Sequence, residues 1–286
     1  AVGLLASGQA SIVIAGGVEA WSRAPIRQVR PLRAGEPAMA YEKPAFAPDP
    51  ARDPDLLVSA VLYAQQHGFS RAQQDAYAVL SHQRAMAHAA LVGHEIIAIN
   101  GLSQDAYPRT IDLARAARMP IAVKQVPLAC TPSTLAISAK ADGAALVLLA
   151  TRQACQDLGL RPRAAWVTSV SVGVDSVTPL IAAEKAAMAA LARAHLPSVN
   201  SLQVIELHDA FAVQGLSFCQ ALGLDPARIN RRGGGLARGH PIGASGAIAL
   251  VRLLSDLQHD EAIGACGLVA VAGAGGIGAA AICQRL

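Results

Sequence analysis

Residues Gly233 to Ala247 read Gly-Gly-Gly-Leu-Ala-Arg-Gly-His-Pro-Ile-Gly-Ala-Ser-Gly-Ala and set a single imidazole, His240, in backbone with almost no side-chain bulk. Such surroundings suit a catalytic base: glycines let a ligand come close, and Pro241 fixes one dihedral directly after the histidine. Ile248, Val251, Leu254 and Leu257 recur at helical spacing, so Gly243 to Gly246 read as a helix entrance whose free N–H groups favour negative charge. A second candidate, Glu206-Leu207-His208-Asp209-Ala210-Phe211, stands where a strand pattern meets a helix pattern, the place at which open α/β sheets bind ligands. His208 there either points into a crevice or caps the helix. A third, Ala272 to Gly278, has glycines that either aim N–H groups at a developing oxyanion or form a plain tight hairpin. A metal set of His208, Asp209 and His240 lacks the usual ligand spacing, so no metal site is expected. His67, His82, His88, His94, His195 and His259 fall in patterns that read as exposed helix or loop, and they receive no role.

The elements that must position these residues are legible as patterns. Ser11 to Ile14 is a short buried-strand pattern that the run Ala15-Gly16-Gly17 is expected to end as a turn. Arg23 to about Arg52 reads as loop. Leu56 to Gly68 is helical, and a second helix begins at Ser70, whose hydroxyl is answered three residues on by Gln73, and runs to about Leu91. Glu95 to Ile99 is strand-like, Asp105 to Pro132 is mixed loop and short helix, and Ala144 to Ala150 is a strong buried strand followed by a helix ending near Gly159. From Arg163 strands and helices alternate: Ala164 to Val172, Pro179 to Ala194, Ser201 to Glu206, Ala210 to Leu222, and, after Gly233 to Gln258, Gly267 to Ala272 with a return as Ala279 to Cys283. This implies a mixed α/β sheet with helices on both faces. Gly273 to Gly278 matches a dinucleotide fingerprint by letter, yet a Rossmann turn needs a helix, a second strand and an acid about 20 residues on, and the sequence stops at Leu286.

The 286 residues, 53% of them apolar, can bury a large core, while no apolar run approaches the roughly 20 residues of a spanning helix. No membrane association is therefore expected. A net charge of +4 with 3% aromatics is too sparse for a nucleic-acid surface, and suits at most the phosphates of a modest anionic ligand. Five irregularly spaced cysteines without a visible signal peptide fit a reducing cytoplasmic interior, and all five are expected to be small buried hydrophobes. The chain begins at Ala1.

Taken in order, these segments resemble the thiolase family over nearly the whole chain. The similarity is carried by Gly-His-Pro-Ile-Gly-Ala-Ser-Gly around His240, by His208 to Phe211 as a variant of Asn-Glu-Ala-Phe, and by the C-terminal glycine turn. Further matches are Ala15-Gly16-Gly17-Val18-Glu19 with Ser22-Arg23-Ala24-Pro25, then Ser70-Arg71 with Gln74-Asp75 and Ser81-His82, and Ser138 with Asp142-Gly143-Ala144-Ala145. The resemblance implies a layered α-β-α-β-α fold with mixed sheets: residues 1-20 and 141-160 as the remnant of an N-terminal half, 21-140 as a loop domain, and 161-286 as a C-terminal half. It implies Claisen condensation or thiolysis on acyl-CoA thioesters, with coenzyme A as substrate, no other cofactor, and a homodimer or homotetramer for the intact protein. Carried over by position, His240 activates the nucleophile and helps form one oxyanion hole, with His208 in the same hole. The backbone at Gly273 and Ala274 serves the other, and Ser138, Ala210 and Phe211 border the pantetheine.

Two departures accompany the resemblance. The family's nucleophile is a cysteine in a Cys-x-Ser-Gly segment expected roughly ten residues before Ala1, so none of Cys130, Cys155, Cys219, Cys266 or Cys283 takes its place and the sequence reads as N-terminally truncated. The family's second, acid–base cysteine aligns with Ala272, whose methyl group cannot carry a proton. The alternative to an enzyme is therefore a catalytically silent acyl-CoA or lipid-binding relative. A ketoacyl-synthase relative would frame its histidines differently.

Overall fold

The computed structural model describes residues 1–126 and 128–286. After a short helix α1 (Val2–Ala6) the chain enters β1 (Ile12–Glu19), which pairs antiparallel with β4 (Gly143–Ala150). Between them lies an excursion of two short paired strands, β2 (Arg27–Val29) and β3 (Met39–Tyr41), and helices α2 (Leu56–His67), α3 (Arg71–Ala87), α4 (Ala89–Gly93) and α5 (Leu113–Ala117). Helix α6 (Arg152–Asp157) leads to the second half: β5 (Ala164–Gly173), α7 (Ala182–Arg193), β6 (Leu202–Leu207), α8 (Ala212–Leu222), α9 (Gly235–Arg238), α10 (Ser245–Asp260), β7 (Cys266–Gly273) and β8 (Ile277–Arg285). Its four strands form one mixed sheet in the order β5-β8-β7-β6, parallel only between β6 and β7.

That sheet is packed on both faces. Alanines 182, 183, 186, 187 and 190 of α7 are fully buried, and their small side chains let the helix lie close; a Cβ on Gly278 of β8 would stand 2.1 Å from the Ala182 carbonyl oxygen. On the other face Ala249, Leu253 and Leu257 of α10, spaced four residues apart, pack on Val204, Val269, Ala281 and Cys283. Helix α10 also packs against β1 and β4, so the layers run α7/α8, mixed sheet, α10, β1–β4 sheet.

Three sequence expectations are corrected here. β1 does not turn at Ala15-Gly16-Gly17 but runs straight through them: a Cβ on Gly16 would lie 2.0 Å from the Ala145 carbonyl oxygen, and one on Gly17 would lie 1.8 Å from that of Gly243. Close backbone approach, not a bend, demands the glycines. β4 is at most half-buried, and on one face; Leu146 and Leu148 point outward with Ile14 and Val18 of β1, all exposed. Glu95 to Ile99 forms no strand, only an isolated bridge between Ile99 and Leu102, with Ile97 and Ile99 exposed. The capping box stands as read: the Gln73 N–H donates to Ser70 Oγ at 3.2 Å and the Ser70 N–H to Gln73 Oε1 at 2.8 Å, although α3 stops at Ala87 and α4 completes the stretch.

Candidate active site

β6 and β7 run parallel, and their C-terminal ends carry two of the three candidate segments. The His208 N–H donates to the Ala270 carbonyl at 3.0 Å, which extends the pairing by one residue before the chain turns through Asp209, Ala210 and Phe211 into α8. His240 arrives from the other side. Gly239, with φ +94, turns the backbone out of α9, and the His240 N–H donates to the Ala139 carbonyl at 2.6 Å. The two rings meet with centroids 4.1 Å apart, tilted by 33°. The two histidines that sequence reading singled out separately thus lie side by side.

Segment 137–140 stitches it. Ile137 bridges to Phe211, the Ser138 N–H donates to the Ala210 carbonyl, and Lys140 bridges to His240. Ser138 also donates its hydroxyl to the Gly235 carbonyl at 2.7 Å, so its proton is committed to the loop carrying His240. Phe211 packs beside the Tyr63, Phe69, Leu180 and Val213 cluster. Asp209, fully buried, ties down the glycine run: its carboxylate accepts from the Tyr77 hydroxyl at 2.9 Å and from the Gly235 N–H, while the Gly234 N–H donates to Ser81 Oγ. Glycine is required here, because a Cβ on Gly234 would overlap the Asp209 carboxylate and one on Gly235 would lie 2.7 Å from His208 Cε1.

Ser245, at the first turn of α10, sets the tautomer of His240. Its hydroxyl donates to the Pro241 carbonyl at 2.9 Å and lies 2.7 Å from His240 Nδ1, so Nδ1 carries the proton and donates to Ser245 while Nε2 keeps its lone pair. Burial pushes the His240 ring down from 6.5 to about 4, with Glu19 pulling slightly the other way. Burial, then His240 and Arg238, hold His208 well below the usual imidazole range, and its Nε2 is buried without a hydrogen-bond partner among the described residues. Both rings are therefore neutral at neutral pH. Burial raises the acid of Asp209 to about 6, against the donors from Tyr77 and Gly235 that favour its charged form.

The C-terminal glycine turn is a tight hairpin between β7 and β8, with Gly275 and Gly276 at positive φ and Ala274 at its tip. Gly273 pairs with Ile277, and no helix follows, which removes the dinucleotide fingerprint. The hairpin lies against the entrance of α10, where a Cβ on Gly246 would stand 3.7 Å from Val271, and Ala272 sits next to that contact.

Among the described residues no group of three or more His, Cys, Asp or Glu side chains could hold a metal, and no helix is long and apolar enough to cross a membrane. The cysteines divide: Cys219 and Cys283 are buried, with thiols pushed up to about 12 by burial, while Cys130, Cys155 and Cys266 are half-buried, which corrects the expectation that all five are interior. His82 is corrected in the opposite sense, being fully buried against Tyr107. Sequence reading gave no role to Ser245, Asp209, Tyr77, Glu206 or Arg238. A serine five residues after a histidine at a helix start was the one available signal.

Comparison with known proteins identifies the family and the fold. Residues 1–153 match the family model described as thiolase, N-terminal domain, and residues 160–285 the one described as thiolase, C-terminal domain. The beta-ketothiolase BktB of Cupriavidus necator is 34% identical over 295 residues, covering 98% of this chain and 73% of its own length. Among solved structures, the Acat5 thiolase from Ascaris suum in complex with coenzyme A superposes with a TM-score of 0.86 at 28% identity, over 99% of this chain and 74% of that one. Human mitochondrial 3-ketoacyl-CoA thiolase in complex with CoA gives 0.89 at 27%, over 99% and 73%. Matched by the family's models from Ala1 to Arg285 except for a six-residue gap, the chain belongs to the thiolase family.

Proposed function

We propose that this chain carries the base and oxyanion half of an acyl-CoA C-acyltransferase site that performs Claisen condensation or the thiolysis of a 3-ketoacyl-CoA, with coenzyme A as substrate and no further cofactor. The observation that carries the reading is the neutral His208–His240 pair, one ring just past the end of β6 and the other on the loop between α9 and α10. In thiolysis a thiolate adds to the 3-keto carbonyl, the C2–C3 bond breaks, and the departing enolate of acetyl-CoA takes a proton; CoA sulfur then displaces the acyl group and regenerates the thiolate. His240 Nε2, its lone pair left free by the Nδ1–Ser245 bond, accepts the thiol proton. His208 Nε2, buried and without a partner, supplies a hydrogen bond to the thioester oxygen as charge grows there. Hairpin backbone at Gly273 and Ala274 serves the second oxygen, and Ser138, Ala210 and Phe211 border the pantetheine arm.

The nucleophile on this reading is the cysteine of a Cys-x-Ser-Gly segment ahead of Ala1. The buried thiols of Cys219 and Cys283, pushed up to about 12, are unsuited to the role. The test is calorimetric titration of CoA into the 286-residue chain, together with thiolysis by protein that carries the upstream segment. Micromolar-range CoA binding, and turnover abolished by His240→Ala, are expected; failure of both forms to bind CoA refutes the reading. Ala272 favours a second one, a binder without turnover, since a methyl group leaves the α-proton to the imidazole pair or water. Exchange of the α-protons of acetyl-CoA for solvent deuterium separates the two: a binder catalyses none.

A further inference from the structure

We propose that Arg238 and Glu206 are a positioning pair that ties the loop bearing His240 to the strand bearing His208, and so sets how the two rings face each other. The role rests on the acyl-transfer reading above; the tie itself stands on geometry. Arg238 is the last residue of α9, two before His240, and Glu206 lies on β6, two before His208. Arg238 Nη2 is 3.6 Å from Glu206 Oε2, with only 9% and 1% of the two side chains exposed. Among the described residues neither Glu206 oxygen makes a hydrogen bond, and Arg238 Nη1 makes none.

A guanidinium does not shed its proton when buried, so Arg238 is drawn to the acid of Glu206, which burial pushes up to about 7 against the pull of Arg238 and Arg252, and it also faces Asp105 across a small cavity. The other restraints on the loop act elsewhere. Asp209 and Ser81 hold Gly235 and Gly234 at its start, and Ala139 and Ser245 hold His240 at its end. Between these anchors Gly239 has a positive φ and no side chain to brace the turn. Arg238 is the charged residue that spans this gap, and its partner is on the other histidine's strand. The charged and titratable groups bearing on His208 are His240 from the loop, Arg238 from α9, and Glu206 and Asp209 from its own segment, with the Tyr77 hydroxyl of α3 behind Asp209.

Arg238→Met, Arg238→Lys and the isosteric Glu206→Gln are compared with the unaltered chain by histidine-selective NMR, without substrate. In Arg238→Met, loss of the neighbouring cation is expected to raise the titration of His208 and to weaken the ring-to-ring NOE. Arg238→Lys restores most of both, whereas Glu206→Gln weakens the NOE although the arginine remains. An unmoved His208 titration with an undiminished NOE in folded Arg238→Met overturns the proposal, as does an undiminished NOE in Glu206→Gln where Arg238→Met does not fold. In protein carrying the upstream segment, Arg238→Met should lower kcat roughly 10- to 100-fold with KM for CoA within about twofold. Absence of turnover and CoA binding in the unaltered protein defeats the acyl-transfer reading alone, because the NMR comparison still decides the tie.

Discussion

Replacing His82 with leucine should make the chain progressively more stable than the unaltered protein as the solution is acidified. The ring is 0% exposed, neither nitrogen has a hydrogen-bond partner among the described residues, and Tyr107 lies 5.6 Å away, centroid to centroid. Burial, helped by the charge of Arg109, pushes its titration down from 6.5 to about 4. The unfolded chain thus takes up a proton near 6.5 that the folded chain resists until about 4. Stability from the neutral ring is complete above the unfolded value and is lost as pH falls towards the folded one. At about 1.4 kcal/mol per pH unit, that gap caps the effect at about 3 kcal/mol, of which about 2 is already lost at about pH 4.5. Leucine carries no proton, and every other titrating group is common to both proteins. Urea unfolding of the two at about pH 7 and about pH 4.5 should therefore show their difference shifting by about 2 kcal/mol in favour of the variant on acidification. An equal difference at both pH values would refute the assignment of His82 as a buried, neutral ring.

Ser245→Ala removes the acceptor for His240 Nδ1, and turnover is expected to fall roughly tenfold, with nitrogen-15 shifts reporting a mixed tautomer. Gly235→Ala places a methyl 2.7 Å from His208 Cε1, so the ring must move and kcat should fall by at least about tenfold, read in steady-state thiolysis. Because the His240 ring stays unprotonated down to about 4, kcat/KM should show no acid limb near 6.5; a limb there would contradict the buried, neutral ring.

Much of the site was legible because catalysis confines it to short runs of unusual composition. Glycines flanking one imidazole, and a histidine at a strand-to-helix junction, are local signals, and the alternation of strands and helices from Arg163 onward is a local signal too. The errors share one physical origin, which is that the deciding contact lay far along the chain. Gly16 and Gly17 read as a turn by themselves, yet strand pairing with Ala145 and Leu146 and the backbone of Gly243 fix them as extended. His82 sits in a polar stretch of α3, and Tyr107, 25 positions on, lies against its ring. Glu95 looked like part of a strand, but its carboxylate is engaged by Arg252, more than 150 positions away. Glu206 and Arg238 are 32 residues apart, and nothing in the letters announces that they meet inside the protein.

The meeting of Gly17 and Gly243 reaches beyond strand geometry. Gly17 lies in the stretch matched by one family model and Gly243 in that matched by the other, and they touch main chain to main chain three residues from His240. At that point no side chain stands between the two stretches, so a bulkier residue at either glycine would push them apart and carry the segment bearing His240 along.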